Sequence, residues 1–321
     1  MPTADSAVNA TANTRYAGTS DIATNAGRTS GQRSGIQVSP QFQNHTAGNA
    51  ANPKVIVSTR KIETTVHATR PVWASVTAGG YHIHEMAAPL VLVPGLDGTG
   101  LLFYRQVPLL ERRFSVTTHR LRDTAERLDE LVAELDARVQ ETAGGEAVTL
   151  VGESFGGALS LSYAIAHPER VARLVVLNSF PFFSPQARLW LGYQLLRRMP
   201  WGVMPVVRQL TAWRMHSRHT GPGELRRFHQ LMRATTREGY VSRMRMLRDY
   251  DVRAPLRELR TPALFLAADR DHLVPAVQQA KLMSSIAPNG TMRILEGHGH
   301  ICLLAPDIDL CTIIDEWTGP S

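Results

Sequence analysis

The chain has 321 residues, 43% of them hydrophobic, two cysteines and a net charge of +7. That is enough apolar material for one large domain or two modest ones. No run approaches the roughly 18 apolar residues of a membrane span, and no basic start leads into an apolar block as in a secretory signal. Cys302 and Cys311 make no disulfide scaffold and fit a reducing, cytoplasmic setting.

Residues 1–70 are rich in Ala, Thr, Ser, Asn and Gly and carry few large apolar side chains. Such a segment cannot bury enough surface to offset its ordering entropy, and a disordered tail is expected. Order is expected from about residue 71. Val72 to Glu85 suits one or two edge strands around Gly79-Gly80, with His82 and His84 on one face. Two histidines at that spacing can ligate a metal, but no further ligand cluster accompanies them, and surface strand positions are the expectation. Pro89 to Pro94 is a short apolar run typical of a strand buried on both faces of a parallel sheet. The loop Gly95-Leu96-Asp97-Gly98-Thr99-Gly100 follows it. Its glycines let backbone N–H groups point at a negative ligand atom. Its spacing matches neither a phosphate loop nor a dinucleotide fingerprint. A helix over Leu101–Leu110 and a strand over Phe114–Leu121 are expected next. Asp123 to Glu141 is an amphipathic helix, with Leu128, Leu131, Val132, Leu135 and Val139 on one face and Gly144-Gly145 as its stop.

Ala147 to Gly157, AVTLVGESFGG, organises the rest. A β-branched apolar run, a turn that needs glycines and a helix of small residues give G-x-S-x-G the context of a nucleophile elbow. Gly152 and Gly156 keep the tight turn free of side chains, and Ser154 is lifted above the carboxyl edge of the sheet. The Phe155 N–H, at the start of the helix, is free to bind a developing oxyanion. Paired with this turn, the Gly95–Gly100 loop reads as the second half of an oxyanion hole, with the Leu96 N–H as donor. The helix runs to about His167 before Pro168, and Val171 to Asn178 is another buried strand.

Alternation of strand and helix breaks over 180–260. Aromatic and leucine residues from Phe180 to Leu196, with Pro200 and Pro205, predict three to five short helices forming an inserted cap. The charge is concentrated there: residues 181–260 sum to +11, with 16 arginines, against +4 for 1–80 and −4 for both 81–180 and 261–321. A solvated helical surface is one explanation, attraction to an anionic membrane or substrate is another, and a partner protein is a third. Nucleic acid is disfavoured, since no binding motif accompanies the charge. The order returns over 261–321. Ala263 to Ala268 is a strand with Asp269 and Asp271 at its carboxyl end. A helix is expected from Pro275 to Ile286 and a last strand over Thr291–Leu295. Glu296-Gly297-His298-Gly299-His300 ends that strand, and a closing helix spans about Pro306–Trp317. The architecture implied is α/β, a mostly parallel doubly wound sheet, with core parts 71–179 and 261–321 around the cap 180–260.

Serine, acid and histidine thus follow three strands in that chain order, which is the order of the α/β-hydrolases. The chain resembles that superfamily over about residues 72–318, through VLVPGLDGTG, LVGESFGG, PALFLAADRDHLVP and GHGHICLLAPD. The run PGLDGTGLLF is also similar to bacterial hydrolases related to the esterase part of plant phytyl-ester synthases. The resemblance implies Ser154 as nucleophile, Asp271 as the acid of the D-x-[LV]-V-P element and His300 as the base, with Leu96 and Phe155 as oxyanion donors. Asp269, on the same strand alternation, competes for the acid role, and His298 for the base. Pro94 stands where the family often carries histidine, which is immaterial if the Leu96 backbone is the donor. Cys302, near His300, reads as a core residue. The expected activity is cleavage of a carboxylic ester of a hydrophobic acyl group, a small-molecule substrate, with no cofactor and no metal. Acyl transfer to an alcohol and thioester or carbon–carbon hydrolysis use the same residues. A non-catalytic binding protein would be marked by a broken triad. Peripheral membrane contact through the basic cap is a separate expectation.

Overall fold

Continuous runs of Val, Leu and Ala become strands here because both faces of the sheet are covered. The computed structural model describes residues 72–77, 80–85, 87–183 and 186–319. The tail expected over 1–70 lies outside the described residues. In chain order, β1 (Val72–Thr77) and β2 (Gly80–Glu85) pair antiparallel as a two-stranded sheet. Then come β3 (Ala88–Val93), α1 (Val107–Leu110), β4 (Phe114–Thr118) and α2 (Leu128–Ala143). They are followed by β5 (Val148–Glu153), α3 (Phe155–Ala166) and β6 (Val171–Leu177). Four helices are inserted next: α4 (Gln186–Arg198), α5 (Met204–Met215), α6 (Pro222–Leu231) and α7 (Arg237–Met246). The chain returns through β7 (Ala263–Ala268), α8 (Ala276–Ile286), β8 (Gly290–Leu295) and α9 (Leu310–Thr318).

The main sheet has six parallel strands in the order β4-β3-β5-β6-β7-β8. Alternate residues of each central strand feed two cores. Val91, Val93, Leu150 and Phe265 pack with α2, α3 and α8 on one face. Leu90, Leu92, Val151 and Leu264 pack with α9 and Phe103 on the other. The edge strands β4 and β8 keep polar or exposed positions, including Thr118 and Arg293, which explains their broken apolar pattern. The order reverses between β3 and β5, which lie side by side with β4 beyond β3. Ligands of such sheets bind outside the carboxyl ends of strands at this reversal.

Several boundaries differ from the sequence-based expectation, each for a tertiary reason. The helix expected from Asp123 starts at Leu128, because the Asp123 carboxylate is taken by Arg243 and Thr236 of the insertion. Leu101–Leu110 splits into a 3-10 turn and α1 around Gln106. That fully buried side chain donates to the Leu303 and Ile308 carbonyls and accepts from the Leu310 N–H. The closing helix begins at Leu310, capped by the Asp309 carboxylate, which accepts from the Thr312 N–H at 3.1 Å.

Candidate active site

The turn from β5 into α3 is the most constrained backbone of the site. Ser154 has φ 54° and ψ −119°; among the described residues only Asn178 is another non-glycine at positive φ. Such a conformation costs about 1–3 kcal/mol and persists where the surroundings enforce it. A Cβ on Gly152 would lie 2.4 Å from the Gly156 carbonyl oxygen, and one on Gly156 2.2 Å from that of Val93. Both glycines are therefore dictated by close backbone approach. The Ser179 hydroxyl donates to the Ser154 carbonyl at 2.6 Å and secures the turn from β6.

His300 follows β8 and brings both ring nitrogens to bear. Its Nε2 lies 3.0 Å from Ser154 Oγ and its Nδ1 2.6 Å from Asp271 Oδ2. The Asp271 carboxylate is fully enclosed, and its other oxygen accepts from the N–H groups of Leu273 and Val274. The competitors stand elsewhere. Asp269 accepts from the Gly297 N–H at 2.7 Å and shapes the loop before the histidine. His298 Nδ1 meets Ser217 Oγ at 2.7 Å, and its Nε2 lies 3.5 Å from Asp307. Cys302 is wholly buried, and burial drives its thiol well above the ordinary range.

Burial opposes a charged His300 ring, but the charge and hydrogen bond of Asp271, with Glu153 beyond, outweigh it, and its pKa is raised. Glu153 is pushed up to about 7, chiefly by burial, with His300 pulling it down and Asp97 and Asp271 pushing it further up.

Three contributors were not visible in the sequence. Asn178, at the end of β6, donates to the His300 carbonyl and accepts from the Ala268 N–H, both at 2.8 Å. Only the tolerance of asparagine for positive φ hinted at it. Arg243 of α7 is 1% exposed, contrary to the expectation of a solvated or membrane-facing charge. It donates to the Leu96 carbonyl at 2.8 Å, to that of Leu121 at 3.3 Å, and pairs with Asp123. Gly98, at φ 68°, leaves room for it: a Cβ there would fall 2.2 Å from the guanidinium. The third is a set of metal-type ligands, His219, His298 and Asp307, whose donor atoms lie within 4.8 Å of one another. They tie to each other through His219 Nδ1 and Asp307 Oδ2 at 2.5 Å.

Phe155 opens α3, so its N–H has no partner within the helix by position. Leu96 sits in the turn closed by the Gly98 N–H to the Gly95 carbonyl at 3.0 Å. Ser154, His300 and Leu96 share the lining of a cavity of about 290 Å³ with apolar residues of the insertion, among them Leu196, Val207 and Met232. His216 also lines it. Neither of its ring nitrogens has a hydrogen-bond partner among the described residues, and burial brings its pKa down to about 4.

The chain is 27% identical over 227 residues to a protein named for carbamate hydrolysis, RutD of Serratia proteamaculans, covering 67% of this chain and 85% of that one. It is 24% identical over 273 residues to phytyl ester synthase 1, chloroplastic, of Arabidopsis thaliana, covering 76% of this chain and 38% of that longer one. Among solved structures, the enol-lactonase of Burkholderia xenovorans LB400 superposes with a TM-score of 0.61 at 18% identity, over 78% of this chain and 96% of that one. A thermophilic esterase from Thermogutta terrifontis gives 0.63 at 18% identity, over 78% and 98%. The model of the alpha/beta hydrolase family matches residues 90–308, from the strand before the oxyanion-type loop to beyond the histidine, and the chain belongs to that family.

Proposed function

We propose that the chain is a serine hydrolase that cleaves a carboxylic ester of a hydrophobic acyl group through an acyl-enzyme. The observation that carries this is the unbroken line from Ser154 through His300 to the enclosed Asp271, opening on an apolar cavity. In the proposed reaction, the Ser154 hydroxyl donates its proton to His300 Nε2 as the oxygen attacks the acyl carbonyl. The His300 Nδ1–H donates to Asp271, which holds the tautomer and stabilises the imidazolium. The Leu96 and Phe155 N–H groups receive the developing oxyanion, each contributing about 3–4 kcal/mol. His300 then returns its proton to the departing alcohol, and water, activated by the same ring, clears the acyl group. His216 adds to the mostly apolar cavity a neutral hydrogen-bonding group for a polar atom of the substrate.

Hydrolysis of p-nitrophenyl esters from acetyl to palmitoyl tests the proposal. Turnover with a preference for longer chains is expected, and Ser154→Ala should lower kcat by roughly 10⁴-fold or more. A variant with near-native activity would reject Ser154 as nucleophile. A second outcome of the same acyl-enzyme is transfer to an alcohol, favoured by the likeness to phytyl ester synthase 1. Adding a long-chain alcohol and analysing products separates the two. Carbamate cleavage, suggested by the RutD likeness, fits less well with the apolar lining contributed by Leu196, Val207 and Met232.

A further inference from the structure

Large apolar side chains exposed among the described residues are not scattered. Six of the nine fall within 21 consecutive residues: Trp190, Leu191 and Leu195 on α4, Val203 in the turn after it, and Val206 and Leu210 on α5. Their exposure runs from 43% to 68%. Single exposed leucines need no explanation, but a cluster of this kind marks an interaction surface. The positions recur at helical spacing. Leu191 and Leu195 are one turn apart, and Val203, Val206 and Leu210 form a stripe, so each set shares a face.

The chain that builds this face carries charge of one sign. No Asp or Glu lies between Glu169 and Glu224. Within that stretch Arg188, Arg197, Arg198, Arg214 and Arg218 are exposed. Helices that expose Trp and Leu and carry arginine but no Asp or Glu have the composition of those that lie in the headgroup layer of an anionic bilayer. A partner protein would need only the apolar part of this surface. The arginines fit phosphate headgroups.

The face is also continuous with the cavity over Ser154. Leu195 is 58% exposed and lines that cavity, and Leu273, 39% exposed, lines it as well. Other positions of the same two helices, Leu196 and Val207, face the cavity too. We infer that α4 and α5 dock on an anionic phospholipid surface and that the acyl substrate passes from that surface into the cavity. The docking stands on exposure and charge; the identity of what passes rests on the ester-cleavage proposal above.

Flotation of the Ser154→Ala chain with phospholipid vesicles reads docking without turnover. The chain should float with phosphatidylglycerol-containing vesicles at low salt. With pure phosphatidylcholine, or at about 0.5 M salt, recovery should fall several-fold. Leu191→Asp with Leu210→Asp should abolish flotation. Arg197→Glu with Arg198→Glu should weaken it by about tenfold or more, since each cation near the surface contributes about fivefold. None of these four residues lines the cavity, so both double variants should keep the native melting temperature and the turnover of a soluble short-chain ester in the Ser154 background. The inference is overturned if the chain does not float with anionic vesicles, or if the leucine variants float as well as the parent. It is also overturned if sedimentation shows that this face instead holds two copies of the chain together, with the leucine variants monomeric. Should Ser154→Ala float while the Ser154 chain cleaves no ester, the docking stands and the ester proposal falls.

Discussion

The six-stranded sheet and the helical insertion follow different rules. Every position of β5 and β7 is buried, whereas α4 and α5 turn much of their surface to solvent. The sheet places Ser154 and Asp271 after strands buried on both faces, and His300 after the edge strand β8. The insertion supplies most of the cavity wall. The usual lesson would be that reaction belongs to the first region and selection to the second. Arg243 breaks that division, because α7 of the insertion sends a buried guanidinium to the Leu96 carbonyl beside the serine turn.

Four substitutions test how far the division holds. The largest effect should come from within the sheet framework. Asp271→Asn removes the charge that stabilises imidazolium and should lower kcat by about 10⁴-fold. It should also move the acid limb of the pH profile. In the proposed reaction the base must be neutral, and Asp271 raises the His300 pKa, so in the parent the acid limb of kcat/KM should lie above that of an ordinary histidine. Without the Asp271 charge, burial dominates and the limb moves to lower pH. A limb that stays in place would separate His300 from the titration.

An intermediate effect tests the reach of the insertion. Arg243→Lys keeps a charge near Asp123 but cannot fork to two carbonyls. Loosening the Gly95–Gly98 turn should lower kcat by about 10–100-fold with little change in KM, since the loop's donor acts chiefly in the transition state. Equal kcat with raised KM would instead make Arg243 a support of the cavity wall. Thermal melting of the same variant separates a local loosening from loss of the fold. Gly98→Ala, which pushes a methyl into the guanidinium from a strained φ, should reproduce the kcat loss.

The smallest effect concerns Glu153, the residue before Ser154. As an anion it helps raise the His300 pKa, while its own lies at about 7. Glu153→Gln should leave the maximal rate within a few-fold and shift the acid limb slightly downward, by less than Asp271→Asn. A collapse of the rate would show that the carboxyl does more than tune charge.

The legibility of the sequence followed the same boundary. Apolar runs such as Ala263–Ala268 announced strands because a parallel sheet buries both faces, and Gly152 and Gly156 were demanded by the turn they flank. Chain order then separated serine, acid and histidine. Strand alternation left Asp269 beside Asp271 and His298 beside His300, and only the resemblance, through its D-x-[LV]-V-P element and its final histidine, pointed to Asp271 and His300. That choice depends on which carboxylate and which ring nitrogen face each other across the strand ends. Local pattern could not tell Arg243 from the other arginines of 181–260, because its partners lie about 120 to 150 residues earlier. The cluster of His219, His298 and Asp307 was hidden for the same reason: its members come from loops separated in the chain and joined by packing.

The Arg243 bridge also has a consequence for the order in which the chain is made. Leu96 lies 147 residues before Arg243, and Ser154 146 residues before His300. A ribosome has emitted the glycine loop and the serine turn long before either distant partner exists. Contacts this far apart form late and slowly. The nascent chain therefore carries Ser154 without its distant partner, and the site assembles only when synthesis has passed β8.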